Sequence, residues 1–484
     1  MPTFALPAEK GEVYYELQPP VLDRSKPTLV VYPPSWCDSS IVVQYLEDAP
    51  EQQDELKKRF NLLAVDMRSH GRTTLEPFKG IDGYVQAVDL ALLLDHLNLT
   101  SVHLAASVIT PSYTILAFAL LFPQHTLSLS FFGVPLMYDT PEKAGIDAIY
   151  LDVIESLVQN DDPEVYLDAM AEMSFFAFGG VLEEDRVDNQ INMVIRRFSP
   201  FHAIRLFESI APLVGATNFT PELIQRIECP VLAISGRAGV ATPAEIVGDF
   251  FQDFSSSKDR RLHLVEEAPN YVYLTHAAQT VDQLLTFLDP HLASPPAPAR
   301  AFDFPGALST LTTLFPDAPA AHGTDLDPRD ARNYSLIDPE DPVREELWEL
   351  CNEIDGKGFE LLASSTKETW EEGGHLHDPR DGWRFTQRDF YYAPRRPSLP
   401  LSDLHSAGAS EYGLDVSADG EHAFGAFALA TEDGASTVVT TTTTEAAEGQ
   451  SPGARSDWGV NGFDDDYKFG VSQVVEEMHA VRLA

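Results

Sequence analysis

Hydroxyl side chains gather in the stretch LAASVITPSY, residues 104–113, where Ser107, Thr110 and Ser112 follow an apolar run. A serine or threonine hydroxyl becomes a useful nucleophile only when a neighbouring base takes its proton. Three residues elsewhere in the chain could complete such a group: His276, His263 and the carboxylate of Asp139. His276 lies in a helical pattern and His263 within a strand pattern, positions that structural histidines also fill. The three cysteines, Cys37, Cys229 and Cys351, are far apart and odd in number. That usage suits a reducing compartment better than a disulfide framework. No metal-ligand spacing occurs, and Asp464–Asp466 lack the alternate spacing and turn glycine of a calcium loop. No metal and no cofactor are therefore expected.

These residues belong to a chain of 484 residues with a formal net charge of -42, 44% hydrophobic and 22% charged. Such a length accommodates one large domain and something smaller. The acidic balance repels phosphate backbones and anionic lipid surfaces, which argues against nucleic-acid and membrane partners. Residues 1–20 lack a basic start followed by an apolar run, so no secretory signal is expected. The longest apolar stretch, ILAFALLF, is too short to span a bilayer. The expected location is cytoplasmic.

Short apolar runs that read as buried strands alternate with amphipathic stretches up to about residue 290: TLVVYP, FNLLAVD, SVHLAA, LSLSFFG, CPVLAISG and RLHLVEE. Between them, YVQAVDLALLLDHLNL and TPAEIVGDFFQDF have helical spacing. The alternation predicts an α/β fold, a mostly parallel sheet with helices on both faces. Residues 140–225 interrupt the rhythm with helical patterns and aromatics such as Phe175, Phe176, Phe178, Phe198 and Phe201. They are expected to form an inserted helical lid over one end of the sheet. The main domain, residues 1–292, is expected to end at SPPAPARAFDFP, with 293–340 a Pro-rich linker. Residues 341–400 read as a small helical and aromatic segment. Within it, Asp341 and Pro342 can start a helix whose apolar face is Val343, Leu347, Leu350 and Ile354. Residues 380–397 mix aromatics with local positive charge, as a docking segment for a protein partner or a strand pair would. Residues 401–484 are poor in large apolar side chains and are expected to form a largely disordered acidic tail.

Five segments in order resemble the α/β-hydrolase family. FNLLAVDMRSHGRTT is similar to its strand and turn, with Asp66, Arg68, Gly71 and Thr73 in the Asp-x-Arg-x-x-Gly-x-Ser/Thr pattern. DGYVQAVDLALLLDHLNLTSVHL, with Asp89, is similar to the helix leading into the nucleophile strand, and ILAFALLFPQHTLSLSFFG to the helix after it. CPVLAISGRAGVATP and LVEEAPNYVYLTHAAQTVDQLLTFL resemble the segments that carry the acid and the histidine. The resemblance covers about residues 10–290. It implies catalysis by a serine on a sharp strand-to-helix turn, a histidine that takes its proton and a carboxylate that orients the histidine.

Carried over position by position, the resemblance puts the nucleophile on Val108, counting from the strand, or on Ile109, counting back from Pro123. Neither can attack, and Ser107 is displaced by one. The acid position falls on Ala238 or Gly239; a carboxylate moved to the preceding strand would be Asp139, which also suits a helix N-cap. The histidine position is Asn270, which hydrogen-bonds but cannot carry a proton through a reaction at neutral pH. The family's His-Gly turn reads Tyr32-Pro33-Pro34-Ser35-Trp36. Proline has no N–H, and a lost oxyanion donor costs about 3 kcal/mol. Ser35 or Trp36 could supply the donor instead. His70 occupies a position where the family often has glycine or histidine for turn geometry, a structural role.

Two functions of different class follow. One is a catalytically degenerate α/β-hydrolase-fold protein whose pocket under the lid binds a small apolar molecule, with Tyr32, Ser107, Thr110, Tyr113, Asn270 and Tyr271 as its polar groups. The alternative is an active enzyme. It would be a carboxylic-ester hydrolase using Ser107, Asp139 and His276, or a non-hydrolytic lyase or cyclase using tyrosine or asparagine. In a third reading residues 305–484 carry the function and the first domain is their platform.

Overall fold

The computed structural model describes residues 2–42, 49–107, 110–133, 198, 203–214, 219–239, 242, 244–292, 300–338, 344–345 and 347–353, with a separate strand pair at 427–430 and 436–439. Asp139, the expected start of the lid and the segment 380–397 lie outside the described residues.

The apolar runs become strands because β-branched and leucine side chains fill both faces of a parallel sheet that helices cover. Strands β3 (Thr28–Tyr32), β4 (Asn61–Val65) and β5 (Val102–Ser107) are buried at every position. They are followed by β6 (Thr126–Phe132), β7 (Val231–Gly236) and β8 (Arg260–Val265). Two strands absent from the sequence reading, β1 (Thr3–Ala5) and β2 (Glu12–Gln18), add an antiparallel edge. The sheet order is β1-β2-β4-β3-β5-β6-β7-β8, with β2 antiparallel to β4 and β3 through β8 parallel. The chain leaves β3 for β4 on one side and returns to β5 on the other. The crevice between the carboxyl ends of β3 and β5 is therefore the topological switch point, where open α/β sheets place their ligands.

Helix α1 (Pro50–Arg59) links β3 to β4, and α2 (Gly83–His96) links β4 to β5. Asp82 starts α2 by accepting from the N–H groups of Tyr84 and Val85, each at 2.9 Å. Helix α3 (Thr110–Leu121) is buried on every side, so its apolar residues show no preferred face. Of the expected lid, helix α4 (Ala203–Val214) and the one-turn helix Pro221–Ile224 are described. Helices α5 (Ala244–Gln252) and α6 (Ala277–Leu292) follow β7 and β8.

The expected linker is corrected. Residues 300–338 are folded onto the main domain, starting with α7 (Phe304–Leu314). Phe302 stacks on His125 at 3.9 Å with planes 11° apart, and Phe304, Leu311 and Tyr334 are buried. Arg329 pairs with Asp95 at 2.7 Å. Of the prolines in SPPAPARAFDFP, Pro305 stands in a first helical turn after the Asp303 N-cap, where a missing N–H costs nothing, and Pro295, Pro296 and Pro298 lie outside the described residues; further on, Pro319 opens a one-turn helix. Residues 344–345 and 347–353 are helical, with Leu347 of the expected apolar face buried and Leu350 half-buried; Cys351, outside that spacing, is buried too. In the expected disordered tail, the described strands β9 (Phe427–Ala430) and β10 (Ser436–Val439) pair antiparallel.

Candidate functional site at the strand ends

The turn after β4 is fully built. Asp66 accepts from the backbone N–H of Ser39 at 2.6 Å and of Arg72 at 2.8 Å, tying the loop after β3 to the loop after β4. Thr73 donates its hydroxyl to the Asp66 carbonyl at 2.7 Å and accepts from the Tyr14 N–H at 3.0 Å. Gly71 has φ +47°, and a Cβ there would lie 2.0 Å from Asp66 Oδ2, so only glycine fits. Arg68 bridges Asp89, at 2.5 and 2.8 Å, and Glu9, at 2.6 and 2.8 Å, all three buried at their charged ends. Burial, and then the neighbouring Asp38 carboxylate, push the Asp66 carboxyl above its ordinary range. His70 donates from Nδ1 to the Arg68 carbonyl at 2.7 Å and lies edge-on to Phe198, which also packs against Trp36. This supports its reading as a turn residue.

At the switch point, Ser35 Oγ accepts from the backbone N–H of Thr110 at 3.3 Å, joining the loop after β3 to the start of α3. If the nucleophile position is Ile109, that N–H is the one the family would direct at an oxyanion, and here a side chain occupies it. Ser112 Oγ donates to the Ser107 carbonyl at 3.1 Å, closing the other side of the turn. Ser107 itself is 1% exposed, and its hydroxyl has no hydrogen-bond partner among the described residues. Residues 108 and 109 lie outside the described residues.

Across the sheet, the loops after β7 and β8 are hydrogen-bonded together. Arg237 N–H donates to the Val265 carbonyl at 2.9 Å and Ala238 N–H to the Ala268 carbonyl at 3.0 Å. Asn270 is buried, and its Oδ1 lies 2.6 Å from where a Cβ on Gly239 would stand. The residue at the histidine position thus rests on the backbone at the acid position, in space a carboxylate side chain would need. His276 sits at the end of the one-turn helix Val272–Thr275, with Nδ1 hydrogen-bonded to Thr275 Oγ1 at 2.9 Å. His263 Nε2 lies 3.2 Å from Gln279 Nε2. Among the described residues, Ser107 Oγ and His276 share no hydrogen bond.

Six parallel strands, an antiparallel β2 beside β4, the hydroxyl-rich turn after central β5 and the Asn270 loop after β8 together decide the architecture. This is the α/β-hydrolase fold. No family model matches the sequence, and no curated protein matches it. Solved α/β structures resemble it. A thermophilic esterase from Thermogutta terrifontis is 17% identical, over 60% of this chain and 99% of that one, with a TM-score of 0.46. The enol-lactonase from Burkholderia xenovorans LB400 is 16% identical, over 60% and 100%, with a TM-score of 0.46. A bromoperoxidase from Bacillus anthracis is 18% identical, over 60% and 99%, with a TM-score of 0.47. The fold assignment rests on strand order and connectivity, not on these likenesses.

Two expected ligand-binding residues also take part in packing and in the charged network. Tyr113 stacks on Phe219 at 6.0 Å, and its backbone abuts Gly83, so it belongs to the packing of α3 against α2. Tyr32 lines a cavity of about 10 Å³ with Asp66, Arg68, Gln86 and Asp89, inside the charged network. Its hydroxyl is raised in pKa by burial and then by Asp89. Thr110, Asn270 and Tyr271 remain at the strand ends, all buried. A groove of about 750 Å³ runs along β2, lined by Tyr14, Leu17, Gln18, Pro19, Lys26 and Lys57, and contains none of the expected ligand-binding residues.

Sequence reasoning missed one carboxylate near the strand ends. Glu208, on α4, is buried; it accepts from the Phe78 N–H at 2.7 Å and from Ser69 Oγ, and Ser69 has φ +61°. Burial raises its carboxyl to about 7. The available signal was a glutamate inside the apolar pattern AIRLFESIAPLV. Burial likewise pushes the Cys229 thiol up to about 12, away from thiolate chemistry. Among the described residues no group of three His, Cys, Asp or Glu could hold a metal ion, and no helix is long and apolar enough to cross a membrane.

Proposed function

We propose that this chain keeps the α/β-hydrolase scaffold, has lost serine-hydrolase chemistry, and uses the strand-end site under α4 to bind a small apolar molecule. One observation carries the reading: Asn270, at the histidine position, rests against Gly239, at the acid position. That contact sets a neutral amide, which cannot carry a proton through a reaction at neutral pH, where the resemblance would have a histidine and its acid. The Ser35–Thr110 hydrogen bond adds support, because it satisfies a donor that catalysis would need. Ser107, Thr110, Asn270 and Tyr271 would supply the few polar groups that orient a ligand among aromatic walls such as Trp36 and Phe198.

The alternative of an active ester hydrolase has one observation in its favour, the buried Ser107 hydroxyl without a hydrogen-bond partner among the described residues. A fluorophosphonate probe separates the two, since an activated serine displaces fluoride and gains a covalent phosphonyl group. Intact mass measured on the wild type and on Ser107→Ala is expected to show no adduct on either. An adduct on the wild type that disappears in Ser107→Ala would overturn the binding-protein reading. A lyase or cyclase would leave the probe unreacted and is tested by turnover of candidate apolar ligands once binding is found.

A further inference from the structure

The C-terminal segment meets helix α4 in a way that neither the fold nor the proposed binding role requires. Helix α4 is held to the main domain through Glu208, which accepts from Ser69 Oγ and from the Phe78 N–H. A second hold comes from beyond residue 340. Arg344, buried, donates Nη2 to the Ala211 carbonyl at 3.1 Å and Nη1 to the Lys79 carbonyl at 2.8 Å. Ala211 lies in the last turn of α4, where carbonyls have no donor within the helix and a cation is favoured by the helix dipole. Trp348 meets Phe207 of α4 edge-on at 5.5 Å, and the Lys79 ammonium lies 5.7 Å over the Trp348 ring while it also contacts Glu345.

The two holds converge on one short loop, Phe78–Asp82. Phe78 N–H binds α4, the Lys79 carbonyl binds Arg344, the Gly80 carbonyl accepts from Ser335 Oγ at 2.6 Å, and Asp82 accepts from the Leu336 N–H at 2.7 Å while capping α2. The segment leading to Arg344 is therefore anchored on the rigid domain next to the point where it grips α4. Lifting α4 would break the buried Arg344–Ala211 bond and would separate Phe207 from Trp348. Both costs fall on the C-terminal segment.

We propose that residues 344–345 and 347–353 are a clasp that holds α4 down over the strand ends, so that this helical segment controls how readily that site opens. The clasp goes beyond the binding-protein reading and does not depend on which ligand the site takes. Hydrogen exchange on the full-length protein tests it, comparing wild type with Arg344→Lys, Trp348→Leu and the double variant. Exchange in peptides covering 203–214 is expected to quicken about tenfold or more in the double variant, with peptides covering β5 and β6 unchanged. Unchanged exchange in α4 would overturn the clasp. So would equal acceleration in α4 and in the central strands, because this helical segment would then belong to the global core. The milder single variants keep the charge or the apolar bulk, so the comparison stands even if the double variant is poorly folded.

Discussion

The turn after β4 and the loops after β5, β7 and β8 lie at the same end of one sheet, yet they have fared differently. In the first, every position of the Asp-x-Arg-x-x-Gly-x-Thr pattern makes the contact its residue type suits: Asp66 gathers two backbone N–H groups, Arg68 bridges two carboxylates and Gly71 adopts positive φ. In the second, among the described residues, Asn270 is buried against the Gly239 backbone and the Thr110 N–H is taken by Ser35. The physical reason is that the first set holds the domain together. Removing Arg68 or Asp89 strands a buried charge, a cost that changes at the neutral Asn270, Ala238 and Gly239 do not carry.

Four measurements would break or sharpen that contrast. Arg68→Ala leaves Asp89 buried without the arginine that bridges it, and Glu9 with only Arg332 at 3.9 Å, and should destabilise the domain by about 3–5 kcal/mol in urea denaturation. A loss under 1 kcal/mol would mean that the network is not structural. Gly71→Ala forces a Cβ toward Asp66 at positive φ and should cost on the order of 2 kcal/mol, read as a lower midpoint in the same experiment.

Glu208 gives a pH signature. Its carboxyl, raised by burial to about 7, holds a proton more tightly in the folded chain than in the unfolded one. Its contribution to stability is thus fully present below the unfolded value, about 4.5, and is lost as pH rises through about 7. Asp66, Asp82 and Asp89 are also raised by burial, so the informative quantity is the difference between wild type and Glu208→Gln. Stability measured from pH 4.5 to 7.5 should fall more steeply in the wild type, and parallel curves would refute the assignment.

The smallest expected effect belongs to Asn270→His. Ester turnover should stay at background, because the Gly239 position still lacks a carboxylate and the Thr110 N–H still binds Ser35. Measurable hydrolysis from this single change would show that the site lacked only its base.

Much of the fold was legible. Strands β3–β8 were readable from apolar runs because a parallel sheet covered on both faces needs side chains of one kind in succession. Strand β2 escaped because EVYYELQ ends in polar residues at an antiparallel edge, and β1 because it has only three residues. The stretch 300–338 was misread for a definable reason. Proline ends a helix from inside but begins one from its first turn, and Asp303 and Pro305 form the second pattern. Within the site, the residue types at the triad positions could be read directly. The packing roles of Tyr113 and Tyr32 could not, because the side of the sheet on which each side chain lies depends on its neighbours.

The sequence alone determined which residue types stand at the expected positions, since Asn270, Ala238, Gly239, Val108 and Ile109 are what they are in any conformation. It also determined the parallel sheet, through the alternation of apolar runs with helical periods. Only the tertiary structure decided that Asn270 lies on Gly239, that Ser35 binds the Thr110 N–H, that Glu208 docks beside Ser69, and that Arg344 reaches Ala211. These pairs are joined by residues 31, 75, 139 and 133 positions apart. No local propensity encodes such contacts. They arise when the sheet brings its strand ends together and buried donors must find acceptors.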